Sequence, residues 1–167
     1  MTDKNQMQLT KDLPNKKITV TRMFDASPDQ VWRAWTESAL LDQWWAPQPW
    51  KAETKSHDFK VGGYWLYAMV GPNGEKHWSR VDYTAINAPH VLEFKDSFCD
   101  ENGKQTNELP AMQWKNEFLP ATNGTKVVVT IVFKNESDLQ KIVEMGFEAG
   151  FTAALGNLNN YLSTQVN

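Results

Sequence analysis

The pattern of apolar and polar residues changes from strand-like to helical soon after the start of the chain. Residues 18–24 alternate with the period of two that predicts a β-strand. Residues 27–30, Ser-Pro-Asp-Gln, combine an N-cap serine, a proline at the first helical position and a glutamine that closes a capping box, which predicts a helix. After a break near 36–38, a second short helix ends at Pro47 and Pro49 and carries the apolar residues Leu40, Leu41, Trp44 and Trp45.

Between residues 50 and 133 the helical period disappears, and six strand-like runs alternate with turn sequences. The runs cover residues 52–59, 64–70, 76–86, 90–98, 112–119 and 125–133. Most of the connections are short, and Ala-Thr-Asn-Gly at 121–124 is the clearest hairpin turn. Strands that are joined by short turns pair antiparallel, so this part of the chain predicts an antiparallel sheet.

The final segment predicts one long amphipathic helix. Apolar residues recur three and four positions apart through residues 136–164, and Asn135 is a suitable N-cap. At 1.5 Å per residue this helix would be about 40 Å long, which is enough to cross a whole sheet. Gly146, Gly150 and Gly156 each cost about 1 kcal/mol relative to alanine inside a helix, so they indicate close packing or space left vacant.

The first fifteen residues are polar and of mixed charge. We interpret residues 1–15 as a flexible leader and residues 16–167 as a single domain. The leader has no apolar stretch of the kind that a signal peptide needs, and no apolar run of 18 residues occurs in the chain. These features predict a cytoplasmic protein that does not insert into membranes.

Composition excludes several classes of function. The chain has 17 Lys and Arg against 20 Asp and Glu, a net charge of −3, and no concentrated basic stretch. This argues against a nucleic-acid partner. Cys99 is the only cysteine, so an internal disulfide and a thiolate metal cluster are excluded. No motif for a metal, a nucleotide or a catalytic serine occurs, and we expect no metal and no cofactor.

Seven short motifs in a fixed order resemble the activator of heat-shock protein 90 ATPase homologue-like family. They are Ser27-Pro28-x-x-Val31-Trp32-x-Ala34-Trp35, Trp44-Trp45-x-Pro47, Phe59-x-x-Gly62-Gly63, Gly71-Pro72-x-Gly74, Pro89-x-x-Leu92-x-Phe94, Gly124-Thr125 and Gly150-Phe151-x-x-Ala154-Leu155-x-x-Leu158-x-x-Tyr161-Leu162. The resemblance spans residues 18–163. It implies an α+β helix-grip fold (START-like, Bet v 1-like) of order β-α-α-β6-α. In that fold a curved antiparallel sheet wraps a long C-terminal helix, and a cavity opens between them.

Period-two alternation then assigns the residues that would face such a cavity. On the strand at 76–86 the inward set is the one that begins at His77, because the alternative set would bury charges. Asp96 and Glu117 are placed at the mouth. The predicted ligand-binding residues are Trp65, Tyr67, Met69, His77, Ser79, Tyr83, Phe94, Phe98, Trp114, Asn116, Phe118, Met145, Phe147 and Gly150. A second group is predicted at the cavity mouth or on a partner-binding surface and consists of Trp44, Trp45 and Trp50.

The eight tryptophans leave two structural interpretations open. They either fill an aromatic core or wall a cavity, since tryptophan has a large apolar ring and a single N–H donor. Adjacent residues on a helix point about 100° apart, so one of Trp44 and Trp45 is expected to anchor its helix and the other to cover the open end of the sheet. Trp32 and Trp35 are interpreted as helix anchors.

Three functions fit these observations. The first is non-catalytic binding of a small hydrophobic or aromatic molecule between the sheet and the C-terminal helix. The second is a co-chaperone-like module that acts on a heat-shock protein 90 type chaperone. The third is a cyclase or hydrolase in which His77, the only catalytic candidate, acts as acid or base. We expect a monomer or a weak homodimer.

Overall fold

An eight-stranded antiparallel sheet and four helices make up the part of the chain that a computed structural model describes, residues 7–106 and 110–165. The strands are β1 (Gln8–Asp12), β2 (Lys17–Phe24), β3 (Lys51–His57), β4 (Tyr64–Val70), β5 (Lys76–Asn87), β6 (Val91–Cys99), β7 (Met112–Ala121) and β8 (Gly124–Val132). The helices are α1 (Pro28–Thr36), α2 (Ser38–Trp44), α3 (Glu136–Glu144) and α4 (Phe147–Gln165).

The strand order of the sheet is β1-β2-β8-β7-β6-β5-β4-β3, and every neighbouring pair is antiparallel. From β3 to β8 the chain pairs each strand with the next one, as the short turns predict. Helices α1 and α2 carry the chain from β2 to the opposite edge at β3. This α+β architecture, in which a curved sheet is covered by the C-terminal helix, confirms the predicted helix-grip fold.

The strand β1 is an addition to the predicted order. Residues 8–12 fall within the stretch expected to be a flexible leader, but they pair with β2, with Leu9 opposite Val20. The leader prediction is therefore wrong for these residues, and residues 1–6 lie outside the described part. The segment 8–12 contains one apolar residue, so it gives little alternation to detect; its order comes from backbone pairing with β2.

The C-terminal helix is also divided, which corrects the prediction of one continuous helix. Helix α3 ends at Glu144 and α4 begins at Phe147. Between them Gly146 has a φ of +91°, in the left-handed region that is accessible to glycine and strained for other residues. The apolar spacing continues across this break, so periodicity alone does not reveal it.

Gly146 and Gly156 give a pair of stability predictions with opposite signs. A Cβ built on Gly156, inside α4, meets no heavy atom within 4 Å. We therefore expect Gly156→Ala to raise the free energy of unfolding by up to about 1 kcal/mol, because alanine is the better helix former. Gly146→Ala should lower it by about 1–2 kcal/mol, because its backbone is left-handed. Urea unfolding of the two variants should show opposite signs, and equal signs would contradict this account.

Hydrogen bonds within and between elements fix the helices that frame the inner face of the sheet. The capping box at Ser27 and Gln30 is formed in both directions, which defines where α1 begins. Asn157 of α4 donates from Nδ2 to the carbonyl oxygen of Ala46 at 3.0 Å. This bond holds the chain that leaves α2 against α4.

Candidate functional site

A cavity of about 210 Å³ lies between the inner face of the sheet and the first half of α4. Four neighbouring strands, β4 to β7, form its floor, α4 forms its roof, and the segment after α2 closes one side. The described residues that line it are Trp45, Pro47, Tyr67, Met69, His77, Ser79, Asp96, Phe98, Met112, Trp114, Phe147, Gly150, Phe151 and Ala154.

Strand register explains why these residues meet. Tyr67 of β4 is opposite Ser79 of β5, and Ser79 is opposite Phe98 of β6. On the next strand pair Asp96 is opposite Met112. Directly opposed residues of antiparallel strands point to the same face, so each strand adds one or two side chains to the cavity floor. The burial of Ser79, with 6% of its surface exposed, agrees with the inward set predicted for β5.

Aromatic side chains form a large part of the cavity wall, and ring contacts hold them in place. Trp114 stacks on Phe94 with ring centroids 5.4 Å apart and meets Phe151 edge-on at 5.5 Å. Phe147 stacks on Phe151 at 5.3 Å, and Trp45 lies 5.9 Å from Trp114. Such contacts restrict the rings to defined orientations. The apolar wall is therefore formed before any ligand arrives.

Tyr67 is one of three polar residues buried in the described floor of the cavity, with Ser79 and Asp96. Its hydroxyl oxygen accepts a hydrogen bond from Nε1 of Trp45 at 2.9 Å, and Ser79 supplies a second hydrogen-bonding neighbour. Burial raises the pKa of Tyr67 well above its ordinary value, so the phenol is neutral at physiological pH. Because its oxygen already accepts from Trp45, the hydroxyl hydrogen is available to Ser79 or to a ligand.

Asp96 supplies the carboxyl group of the described cavity lining. Only 8% of its surface is exposed. Burial, and to a smaller extent the charge of Asp82, raise the pKa of the Asp96 carboxyl to about 7. Among the described residues the Asp96 side chain has neither a hydrogen-bond partner nor an ion-pair partner. A carboxyl group in this environment is costly to ionise, since burial removes most of its hydration.

The cavity opens to solvent where the hairpin of β4 and β5 approaches the start of α4. His77 is exposed there, and Pro47 and Gly150 are half-buried. The His77 ring lies 5.5 Å from that of Trp50, which covers the outer side of the opening. A Cβ added to Gly150 would meet Pro47 Cγ at 3.9 Å and nothing closer. The glycine therefore leaves the opening wider than any other residue would.

The model of the family described as activator of Hsp90 ATPase homolog 1-like protein matches residues 25–163 of the chain. The chain belongs to this family. The match covers both helices that follow β2, the strands of the cavity floor and most of α4, and it confirms the resemblance carried by the seven motifs. A search of functionally curated proteins gave no match.

Solved structures share the fold of this chain over nearly its whole length. A protein from Arthrobacter aurescens, solved by solution NMR, is 34% identical, with a TM-score of 0.89 over 96% of this chain and 93% of that one. Protein Ms6760 from Mycobacterium smegmatis is 28% identical, with a TM-score of 0.85 over 93% and 95% of the two chains. A Staphylococcus epidermidis protein is also 28% identical, with a TM-score of 0.83 over 96% of each chain.

Eight of the fourteen residues predicted for the ligand cavity line it in this member of the family. They are Tyr67, Met69, His77, Ser79, Phe98, Trp114, Phe147 and Gly150. Whether any of them contacts a ligand stays a prediction. The residues that sequence reasoning did not assign to the lining, or placed elsewhere, are Trp45, Pro47, Asp96, Met112, Phe151 and Ala154.

The other six predicted residues lie elsewhere, and their assignment is corrected. Trp65, Tyr83 and Phe94 lie behind Trp45. The space between them measures only about 10 Å³, so this region is packed core. Asn116 and Phe118 are also buried outside the cavity, further along β7, where the Phe118 ring meets Trp32 at 5.4 Å. Met145 is 52% exposed because the helix break turns it outward.

The three tryptophans predicted at the mouth have three different positions. Trp44 is fully buried, and its Nε1 donates to the carbonyl oxygen of Ala34 at 2.9 Å, so it is the helix anchor. Trp45 is buried and forms part of the cavity wall. Trp50 is half-buried and lies beside His77 at the opening. The mouth assignment is therefore corrected for Trp44 and Trp45.

The residues with candidate acid-base or nucleophilic chemistry have the following surroundings. His77 has a ring contact with Trp50 but no hydrogen bond to an acidic group in residues 7–106 and 110–165. His57 Nε2 lies 2.7 Å from the Tyr83 hydroxyl, and burial lowers the pKa of His57, but neither residue lines the cavity. Burial also raises the pKa of the Cys99 thiol to about 11, which disfavours the reactive thiolate.

No three or more His, Cys, Asp or Glu side chains lie close enough together to hold a metal ion within the described part of the chain. None of its helices combines the length and the apolar character that crossing a membrane requires.

Proposed function

We propose that this protein binds a small hydrophobic or aromatic molecule in the cavity between the sheet and α4, without covalent chemistry. The observation that carries the proposal is the aromatic cavity itself, which is walled by Trp45, Trp114 and Phe151 and open to solvent beside Gly150. Concave apolar sites with a few convergent polar groups are the usual form of small-molecule sites. Here the buried polar groups include Tyr67, Ser79 and Asp96.

The size of the cavity restricts the ligand. An engineered apolar cavity of about 150 Å³ in another protein accommodates benzene. The cavity described here measures about 210 Å³. It therefore suits a molecule with one or two rings and a short substituent. A long acyl chain would have to leave most of its length outside, so the dimensions favour an aromatic ligand over a lipid.

Blocking the opening gives a direct test. We expect Gly150→Leu to weaken the binding of one- and two-ring aromatic compounds at least about tenfold, because its side chain projects into the gap beside Pro47. The helix should tolerate leucine there, since leucine is a better helix former than glycine. Binding is measured by thermal shift and fluorescence titration with a panel of such compounds, and by native mass spectrometry of the protein as purified.

The matched control is Ala153→Leu, which adds the same side chain on the exposed side of α4. It should bind the panel as the unmodified protein does. The proposal fails if no compound of the panel binds and no small molecule is retained on purification. It also fails if Gly150→Leu binds as tightly as Ala153→Leu, because the ligand site would then lie elsewhere.

Family membership supports a second candidate, a co-chaperone-like action on a heat-shock protein 90 type chaperone. The surface beside the cavity opening is suited to a protein contact, because Trp50 and Trp78 are only half-buried and Lys55 lies over the Trp78 ring at 5.6 Å. Tryptophan is among the residues that are enriched at protein-binding hot spots. The test is the ATPase rate of such a chaperone with and without the protein, and an unchanged rate would exclude this candidate.

A further inference from the structure

The charged and polar groups of the cavity are distributed very unevenly. The described residues that line it include one carboxyl group, Asp96, but no lysine and no arginine. The Asp96 side chain has no hydrogen-bond or ion-pair partner among the described residues, and only 8% of the residue's surface is exposed. Unpartnered buried carboxyl groups destabilise a folded protein. This residue therefore needs an explanation that the apolar wall does not provide.

We propose that the ligand carries a protonated amine on its aromatic body, with the ammonium group bound to Asp96 and the ring held between the sheet and α4. This inference rests on the proposed function and specifies the chemical class of its ligand. An ammonium group has three N–H donors. Asp96 accepts one, and the hydroxyl oxygen of Ser79, on the adjoining strand β5, is a second acceptor on the same face.

The aromatic wall favours the same charge. The faces of Trp45, Trp114 and Phe98 carry the negative part of the ring quadrupole, which attracts a cation and repels an anion. The first turn of α4 lies near the opening and contributes a partial positive charge, but Glu148 in that turn opposes it. An anionic ligand would meet Asp96 without any cation in the described lining to balance it. The Asp96 carboxylate and the aromatic faces are instead complementary to the positive charge of an ammonium group.

The raised pKa of Asp96 adds a consequence for pH. Because the carboxyl group has a pKa of about 7 in the free protein, an ammonium group selects the ionised form and its binding releases a proton from the protonated form. The affinity should therefore fall about tenfold between pH 8 and pH 6. Other titratable groups near Asp96 are Tyr67 on β4, His77 and Asp82 on β5, and Cys99 on β6; the lining residues of α4 carry none.

The experiment compares 2-phenylethylamine with its neutral analogue 2-phenylethanol by isothermal titration calorimetry. The amine should bind the unmodified protein at least about tenfold more tightly than the alcohol, as expected for a charge-assisted bond in a desolvated site. Asp96→Asn should abolish that preference and the pH dependence. Asp58→Asn, which removes an exposed carboxylate, is the control and should preserve both.

Each other outcome overturns the inference. If the alcohol binds as tightly as the amine, the site is not selective for a cation, while the proposed function stands. If the amine is preferred but Asp96→Asn preserves the preference, another group recognises it. If neither probe binds, the amine assignment is wrong, and the Gly150→Leu titrations with neutral compounds decide separately whether the cavity binds ligands.

Discussion

Asp96→Asn is expected to raise the free energy of unfolding at pH 8 by up to about 4 kcal/mol. In the unfolded chain the carboxyl group has its ordinary pKa of 3.8, whereas burial raises the pKa to about 7 in the folded protein. Each unit of pKa difference corresponds to about 1.4 kcal/mol, so ionising Asp96 inside the cavity opposes folding by roughly this amount. Asparagine has nearly the same shape and does not ionise, so the variant avoids that cost.

The pH dependence has a definite direction. Below about pH 4 the carboxyl group is protonated in both states, and the two proteins should be similarly stable. Between about pH 4 and pH 7 the folded state holds a proton that the unfolded state has lost, so the stability contributed by Asp96 falls as the pH rises. The advantage of the variant should therefore grow through this window and level off above it. Urea unfolding at pH 4, 6 and 8 measures the difference between the two proteins.

The control for this prediction is again Asp58→Asn, because the Asp58 side chain is 61% exposed and faces Lys60 at 3.5 Å. Its effect should stay within about 0.5 kcal/mol and change little with pH. A loss of stability in Asp96→Asn at pH 8 would contradict the prediction. It would mean that the ionised carboxylate is stabilised in the folded protein, and an amine would then find no unpartnered charge to bind.

Most of the fold is predicted from local sequence signals, because caps, turns and strand alternation each depend on only a few neighbouring residues. The capping box at Ser27 is formed as its spacing requires, and Asn123 in the hairpin between β7 and β8 has the left-handed φ of 62° that such turns favour. Alternation identifies the inner face of β5 correctly from His77 to Tyr83. The strand β1 is not predicted, because its formation depends on pairing with β2 rather than on an apolar pattern of its own.

Alternation predicts which face of a strand is inward, but it does not predict what covers each point of that face. Trp65 and Tyr67 both point inward from β4, yet only Tyr67 lies in the cavity. Trp65 lies behind Trp45, whose position depends on how α2 packs on the sheet. A long-range packing arrangement of this kind leaves no local signal, so the extent of the cavity along each strand could not be predicted.

Asp96 shows a different limit of sequence reasoning. It lies between Phe94 and Phe98 on β6, so a period of two already places it on the inner face. The rule that charges avoid burial assigns it to the mouth instead. That rule describes what favours stability, and it is broken most often where a protein needs a group for function. A conflict between the two rules therefore indicates that Asp96 is a candidate functional residue.

Trp45→Ala should lower the free energy of unfolding by about 3–5 kcal/mol and enlarge the ligand cavity. The Trp45 indole forms part of the cavity wall and also borders the small gap behind it, so removing the ring joins the two spaces. The substitution also removes the hydrogen bond to Tyr67. The variant should bind compounds with three fused rings that the unmodified protein excludes. Urea unfolding and fluorescence titration measure the two effects.

The neighbouring tryptophan provides the control, because the two side chains are alike in chemistry and burial and differ in position. Trp44→Ala should cost a similar free energy, since Trp44 is fully buried and bonded to Ala34, but the range of ligand sizes should not change. If either alanine variant fails to fold, the phenylalanine variant at the same position replaces it. A wider ligand range in both variants, or in neither, would mean that Trp45 does not limit the cavity. A wider range in the Trp45 variant alone would show that the second of two adjacent tryptophans determines which molecules fit.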